Sequence, residues 1–343
     1  MKTVYLLVAI LLMTIINACT AYYYVRTDVA KNLDVKRSVY ASSADGSSVD
    51  FPFVISGRWS ISKLPEAYEV DFYDTKVKMT HEASSSGRVG DVSLAGKDGL
   101  NPLLKPSENL DKRFRWFYTY YDYSAEFEGL KDMLPLPFEG YLTDEQLELF
   151  FRGTNPPEGW NGVEMYCLLD DINQNFAKWH SDATYYVMFD IFKPYCAKQQ
   201  IVALDTLKCR FMEGKEREIM FAMKPDEFED RLATLLPESG FGNIYEDNSE
   251  AIDQAYEKET EIIGCFETAF MYTVNLPGKY MAGNAVDFLS GSPTWKIDAY
   301  RLMAGDLKLI ATSRQVNLWA FLVTFVAIAL LLQVFAKVFA KEG

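Results

Sequence analysis

Between Leu318 and Ala336 the chain runs nineteen residues without a charge, twelve of them Leu, Ile, Val or Phe. As a helix rising 1.5 Å per residue, the run would be about 28 Å long, close to the ~30 Å hydrocarbon thickness of a bilayer. Each apolar side chain favours insertion by about 0.3–0.6 kcal/mol, which together outweighs the cost of Thr324 and Gln333. The run therefore predicts a transmembrane helix over residues 316–337, a short tail over 338–343, and a main body confined to one side of a membrane.

The other end has the plan of an export signal. Lys2 precedes an apolar run from Val4 to Ile16, and Asn17, Ala18 and Cys19 follow. Ile16-Asn17-Ala18-Cys19 looks like a bacterial lipobox, in which Cys19 would be lipidated. Two other readings stay open. One is a simple cleaved signal. The other is an uncleaved anchor from Val4 to Val25, with Tyr22, Tyr23 and Tyr24 as an aromatic belt. Residues 1–24 are thus read as a lipoprotein signal or signal anchor, and the polar, Ser-rich residues 25–50 as a flexible linker. Lys308 and Arg314 before the C-terminal span balance Lys337 and Lys341 after it, so charge does not set orientation. The export signal does: it predicts the bulk of the chain on the periplasmic side of a bacterial cell membrane and the C-terminus in the cytoplasm.

Residues 51–313 are expected to form one extracytoplasmic α+β domain. Its antiparallel sheet is built from N- and C-terminal strands, residues 51–127 and 265–312, around a helical middle over 142–264. Val77, Met79, His81 and Ala83 alternate with polar residues, and Ser84-Ser85-Ser86-Gly87 reads as the turn of a hairpin. Leu142-Thr143-Asp144-Glu145-Gln146-Leu147 combines a capping box with a hydrophobic staple, a helix start. Leu168, Leu169, Ile172, Phe176 and Trp179 continue at helical spacing, with further helices expected over Ala183–Phe192, Ala197–Phe211, Asp226–Leu236 and Ser249–Ile263. Phe266, Thr268, Phe270, Tyr272 and Val274 return to alternation. Strands over Trp295–Leu302 and Leu307–Ala311 follow, leading almost directly into the apolar run.

The signals for chemistry are sparse. A formal net charge of −14 argues against nucleic acid as a partner and against electrostatic docking of the chain as a whole on anionic lipid headgroups. Cys167, Cys196, Cys209 and Cys265 are even in number and, in an oxidising compartment, open to disulfide pairing or to burial as thiols. None lies in a Cys-x-x-Cys pair and the chain has two histidines, which speaks against a metal centre; no catalytic, metal or cofactor-binding residue is assigned. His180 beside Asp182 lacks the nucleophile motif that would make it a catalytic base. Glu164, Asp170 and Asp171, with the acidic run Glu257–Glu261, are the carboxylates that a glycan hydrolase would draw on, and a solvated face explains them better. The densest aromatic run, Phe114 to Tyr123, reads as a strand buried on both faces. The alternative is a stacking platform for flat ligands on Trp116, Tyr118 and Tyr120.

Leu276-Pro277-Gly278, Gly283-Asn284-Ala285, Gly291 and Trp295, followed by a strand and a terminal apolar span, resemble the ending of LppM-like bacterial lipoproteins. That resemblance covers about a fifth of the chain and implies an envelope-facing α+β module without established catalysis. The functional expectation is a membrane-tethered envelope protein whose acidic domain binds or scaffolds another envelope protein. The alternative is a carboxylate-based hydrolase acting on envelope or extracellular glycans.

Overall fold

The computed structural model describes residues 21–43, 49–72, 75–97, 99–152, 159–160, 162–198, 224–235 and 242–342. Residues 1–20, with Cys19 and all but the last four positions of the expected signal or anchor, lie outside them, as do Cys209 and most of the helix expected over Ala197–Phe211.

Strand β1 (Ala21–Val29) pairs antiparallel with β2 (Val35–Ala41) and parallel with β7 (Thr268–Asn275), so the first and last thirds of the chain share one sheet. That sheet has seven strands, adding β3 (Ser60–Asp71), β4 (Lys76–Gly87), β9 (Asp287–Leu289) and β10 (Ser292–Asp298) in the order β3-β4-β2-β1-β7-β10-β9. A second sheet of four strands joins β5 (Ser107–Phe114), β6 (Tyr118–Phe127), β11 (Leu307–Val316) and β8 (Lys279–Gly283) in the order β5-β6-β11-β8. The fold is α+β as expected, with N- and C-terminal strands combined. The β1–β7 pair makes the larger sheet mixed where an antiparallel one was expected.

Two sequence expectations fail here for the same reason. Residues 25–50 are not a linker through their first half, because β1 and β2 occupy it. Val25, Val29, Val35 and Val39 are buried at a period of two, a pattern masked by the Arg, Lys and Ser residues between them. The anchor reading of Val4–Val25 fails over its last residues. Tyr22, Tyr23 and Tyr24 pack inside the protein on Phe72, Phe270 and Tyr40 at 4.8, 5.4 and 5.3 Å between ring centres. Likewise Ser84–Gly87 is no turn; it is the end of β4, paired with Val35–Ser38 of β2.

The two sheets face each other across one core. Val25, Val39, Phe270, Tyr272 and Ile297 from the larger sheet meet Tyr121, Tyr123, Phe127, Leu309 and Ala311 from the smaller. A charged pair is sealed between them. Arg37 on β2 reaches across to Glu108 on β5 in a two-pronged contact of 2.6 and 2.9 Å, and the Tyr123 hydroxyl donates to the same carboxylate at 2.5 Å. Burial alone would push the Arg37 pKa down, but the adjacent Glu108 carboxylate outweighs it and raises it. Burial, reinforced by Glu108, lifts the Tyr123 hydroxyl well above its ordinary pKa, so it remains a donor.

The first helix, α1, is a single turn (Asn101–Leu104). The helical middle begins as expected. Thr143 and Gln146 exchange hydrogen bonds of 3.2 and 3.0 Å at the start of α2 (Asp144–Phe151), and Leu142 and Leu147 are buried beside it. Helix α3 (Gly162–Lys198) is 37 residues long and serves two cores. Ile172, Phe176, Trp179 and Ala183 pack on the sandwich, while Tyr185 to Cys196 form a second cluster with Phe228, Leu232, Ile244 and Ile252. Those partners come from α4 (Pro225–Leu235) and α5 (Ile244–Thr260). Glu229 of α4 is 4% exposed and accepts from the backbone N–H groups of Gly242, Ile244 and Tyr245 at 3.0, 2.7 and 2.7 Å. It thereby satisfies the otherwise orphaned donors that open α5.

Strand β10 stops at Asp298, short of the expected Leu302, because the Asp298 side chain accepts from Arg301 N–H at 2.9 Å and starts α6 (Ala299–Met303). Helix α7 (Leu318–Glu342) closes the chain. Leu130 N–H bonds to the Leu302 carbonyl near the helical middle, and β11 then runs from Leu307 to Val316 away from it. The helical lobe and α7 therefore occupy opposite ends of the sandwich.

Candidate functional site

Among the described residues one stretch is long and apolar enough to cross a membrane, Leu318–Lys337 within α7, and it is almost wholly exposed on the protein. A single residue, Asn317, separates it from β11. The Asn317 N–H donates to the Phe117 carbonyl at 2.9 Å, and its own carbonyl accepts from Ala320 N–H at 2.9 Å, opening the helix. Its side-chain amide donates to the carbonyls of Arg115 and Trp116 at 2.9 and 3.2 Å, while its oxygen accepts from the Thr119 hydroxyl at 2.9 Å. One Asn thus satisfies the polar backbone of a turn that borders an apolar helix, where an unpaired carbonyl is costly.

That turn corrects the reading of Phe114–Tyr123 as one doubly buried strand. Arg115 and Tyr118 exchange backbone hydrogen bonds of 2.7 and 3.0 Å, leaving Trp116 and Phe117 as a two-residue hairpin loop between β5 and β6. The rings at this tip lie against the first turns of α7. Phe114 stacks on Trp319 with centres 6.2 Å apart, Trp116 meets the same ring edge-on at 5.3 Å, and Phe117 contacts Phe321 at 4.6 Å. The Trp116 indole N–H donates to Thr324 Oγ1 at 2.8 Å, so the polar group that burdened the apolar run has a partner. Phe114 and Trp116 remain 56% and 47% exposed. Trp116, an apolar ring carrying one polar N–H, is of the kind that suits a membrane interface.

The three candidate stacking residues come to this end of the protein, but not as an open platform. Trp116 is bonded to α7. The guanidinium of Arg314 covers Tyr118 at 4.5 Å, and that of Arg113 covers Tyr120 at 5.6 Å. Asn317, Trp319, Phe321 and Thr324 are functional candidates that the sequence reading passed over. Their signal was the aromatic pair in the first turn of the apolar run and the lone Asn before it.

Elsewhere the candidate residues do not converge. His180 and Asp182 are two apart on α3, a spacing that puts side chains on different faces. Asp182 is buried and accepts from the Tyr141 hydroxyl at 2.7 Å. Glu164, Asp171, Glu257, Glu259 and Glu261 are exposed, and half-buried Asp170 accepts from Gln174 at 2.9 Å. Cys167, Cys196 and Cys265 are free thiols. Burial pushes the thiol pKa of Cys196 up to about 11 and that of Cys265 up to about 12.

The residues carrying the LppM-like resemblance hold the edge strand β8 on β11. Gly278, at φ +93°, lies where a Cβ would meet the Arg314 carbonyl oxygen. The Asn284 side-chain oxygen accepts from Ile310 N–H at 2.8 Å and from the Trp295 indole N–H at 3.1 Å.

Burial pushes the His180 pKa down to about 4. The folded chain therefore keeps this imidazole neutral where an unfolded one, at about 6.5, takes up a proton. Stability is expected to fall as pH drops through 6.5 towards 4, with about 1 kcal/mol lost between pH 7 and 5.5. Melting curves of the chain and of His180→Gln at those two pH values check this, since the variant should lack that part of the loss.

Compared with protein-family models, curated proteins and solved structures, the chain finds no match in any of the three.

Proposed function

We propose that this chain is a membrane-anchored envelope protein whose body binds or scaffolds another envelope component. The body stands on the extracytoplasmic side and the residues after the span in the cytoplasm. The observation that carries this reading is the junction at Asn317: an exposed apolar helix leaves a folded body after one residue, with the body's own aromatic tip packed along its first turns. A flexible tether would let the body drift; this joint fixes its attitude to the bilayer. Ten residues of β11 then separate α7 from the opposite end of the sandwich, a distance of roughly 30 Å. The helical lobe, with the exposed carboxylates of α3 and α5, is thereby held away from the lipid as the surface that a basic partner would meet.

Among the described residues α7 is the segment that supplies this anchor. Ala21 begins β1 at the end of the sheet away from α7, because Asp28, near the other end of β1, pairs with Asn275 just before the Pro277-Gly278 turn beside Arg314.

Alkaline carbonate washing of membranes, followed by density flotation, tests the anchor. The full chain should stay with the lipid, and a chain ending at Asn317 should be released. A full chain that washes free would end this reading.

A further inference from the structure

One register row of the four-stranded sheet differs in charge from the acidic protein around it. Arg113 pairs with Tyr120, Tyr120 with Arg314, and Arg314 with Lys279, so the row crosses all four strands on the outward face. Arg113 is held by Asp122 at 2.6 Å. Among the described residues neither Arg314 nor Lys279 forms an ion pair, and Arg115 in the adjoining turn forms none either. Like charges directly opposite on neighbouring strands cost stability. A chain with a formal charge of −14 that nevertheless places Arg314 opposite Lys279 breaks a local rule of sheet design. Such departures mark places where something other than folding selects the residues.

The position of the row says what that is. Arg314 stands three residues before Asn317, roughly 10 Å of strand from the start of α7. The headgroup layer on each side of a bilayer is about 5–8 Å deep, and long basic side chains extend along apolar surfaces to reach it. The carboxylate of Asp122 lies one row further from α7, behind the cations. Tyr118, under the Arg314 guanidinium, holds that cation in place while leaving its charge unneutralised.

We propose that Arg314, Lys279 and Arg115 bind the phosphodiester headgroups of anionic lipids in the leaflet that α7 enters. This rests on reading α7 as a membrane span. The full chain, reconstituted by flotation into phosphatidylcholine vesicles, is probed with spin-labelled phosphatidylglycerol and phosphatidylcholine, and the motionally restricted fraction of each is measured. The anionic probe should be favoured on the order of fivefold. That preference should fall close to unity in the Arg115→Gln, Lys279→Gln, Arg314→Gln triple variant, and also for the unmodified chain as ionic strength rises. The salt titration reads the same quantity should the variant fail to fold. Equal retention of both probes, or a preference that survives both the substitutions and high salt, overturns the proposal while leaving the anchor intact. Erosion of the preference by inorganic phosphate at constant ionic strength overturns it too, by showing a site for free phosphate. A chain that does not float with the vesicles overturns both readings.

Discussion

Replacing Glu108 by Ala should lower the unfolding free energy by about 3–5 kcal/mol, because it strands a buried guanidinium. The side chains of Arg37 and Glu108 are only 3% and 7% exposed. Without the carboxylate, the Arg37 side chain is left among the described residues with the Val92 carbonyl at 3.2 Å and the Thr27 hydroxyl at 3.3 Å, and the Tyr123 hydroxyl loses this acceptor. Neither remaining contact neutralises the charge. Removing both charges is a different matter, since a buried pair returns little beyond its own desolvation cost. Arg37→Met with Glu108→Leu should therefore recover most of the stability lost in Glu108→Ala, despite changing more atoms. Urea unfolding in detergent, followed by tryptophan fluorescence, measures both variants. A single variant within 1 kcal/mol of the parent on the ~1–3 kcal/mol/M scale of urea slopes, or a double variant worse than the single, would show that the pair is not what joins the sheets.

That pair also explains why the first sheet was hard to read from the sequence. Burial of an Arg in β2 is affordable only because Glu108, 71 residues further on, arrives from the other sheet. Nothing local to Val35–Ala41 announces it, so Lys36-Arg37-Ser38 reads as linker. The β1–β7 pairing is just as distant, joining Ala21 to Thr268. Local signals fared better. The Thr143–Gln146 capping box and the apolar run of α7 each needed only neighbours within a few positions, and each lies where the pattern put it. The strand read from Phe266 starts two residues later, at Thr268, because a helical turn runs through Glu267, and it is buried at nearly every position rather than on alternate ones. The junction was half legible. Aromatic density drew attention to Trp116, Tyr118 and Tyr120, but pattern could not reveal that a two-residue turn splits the run or that the rings meet α7, some 200 residues away. That contact exists because the partner of β6 in the sheet is β11, and β11 is the strand that leads into the helix.

Two tryptophans of similar size should give opposite results on truncation. Trp179 is 2% exposed, and its indole N–H donates to the Leu136 carbonyl at 2.9 Å. Its ring packs on Phe176, Phe266 and Phe138, with centres 5.5, 5.9 and 6.4 Å away. Trp179→Ala should cost about 3–5 kcal/mol through lost burial and the cavity left behind, and it also leaves a carbonyl unpaired. Trp179→Phe, which refills most of the volume, should cost about 1–3 kcal/mol, the penalty of the orphaned carbonyl. Trp116, half exposed at the hairpin tip, removes little core, so Trp116→Ala should cost under ~1 kcal/mol in detergent. Position on α3 adds a second consequence for Trp179. The same helix continues into Met188, Phe189 and Phe192, which pack the helical lobe, so Trp179 clamps that lobe to the sandwich. Hydrogen exchange of Trp179→Ala should show α4 and α5 losing protection together with the α3 segment around Phe176, while β1 and β7 retain theirs. Uniform loss across lobe and sheets would mean that the two cores unfold as one unit whatever holds them. Unchanged protection in the lobe would mean that the clamp lies elsewhere.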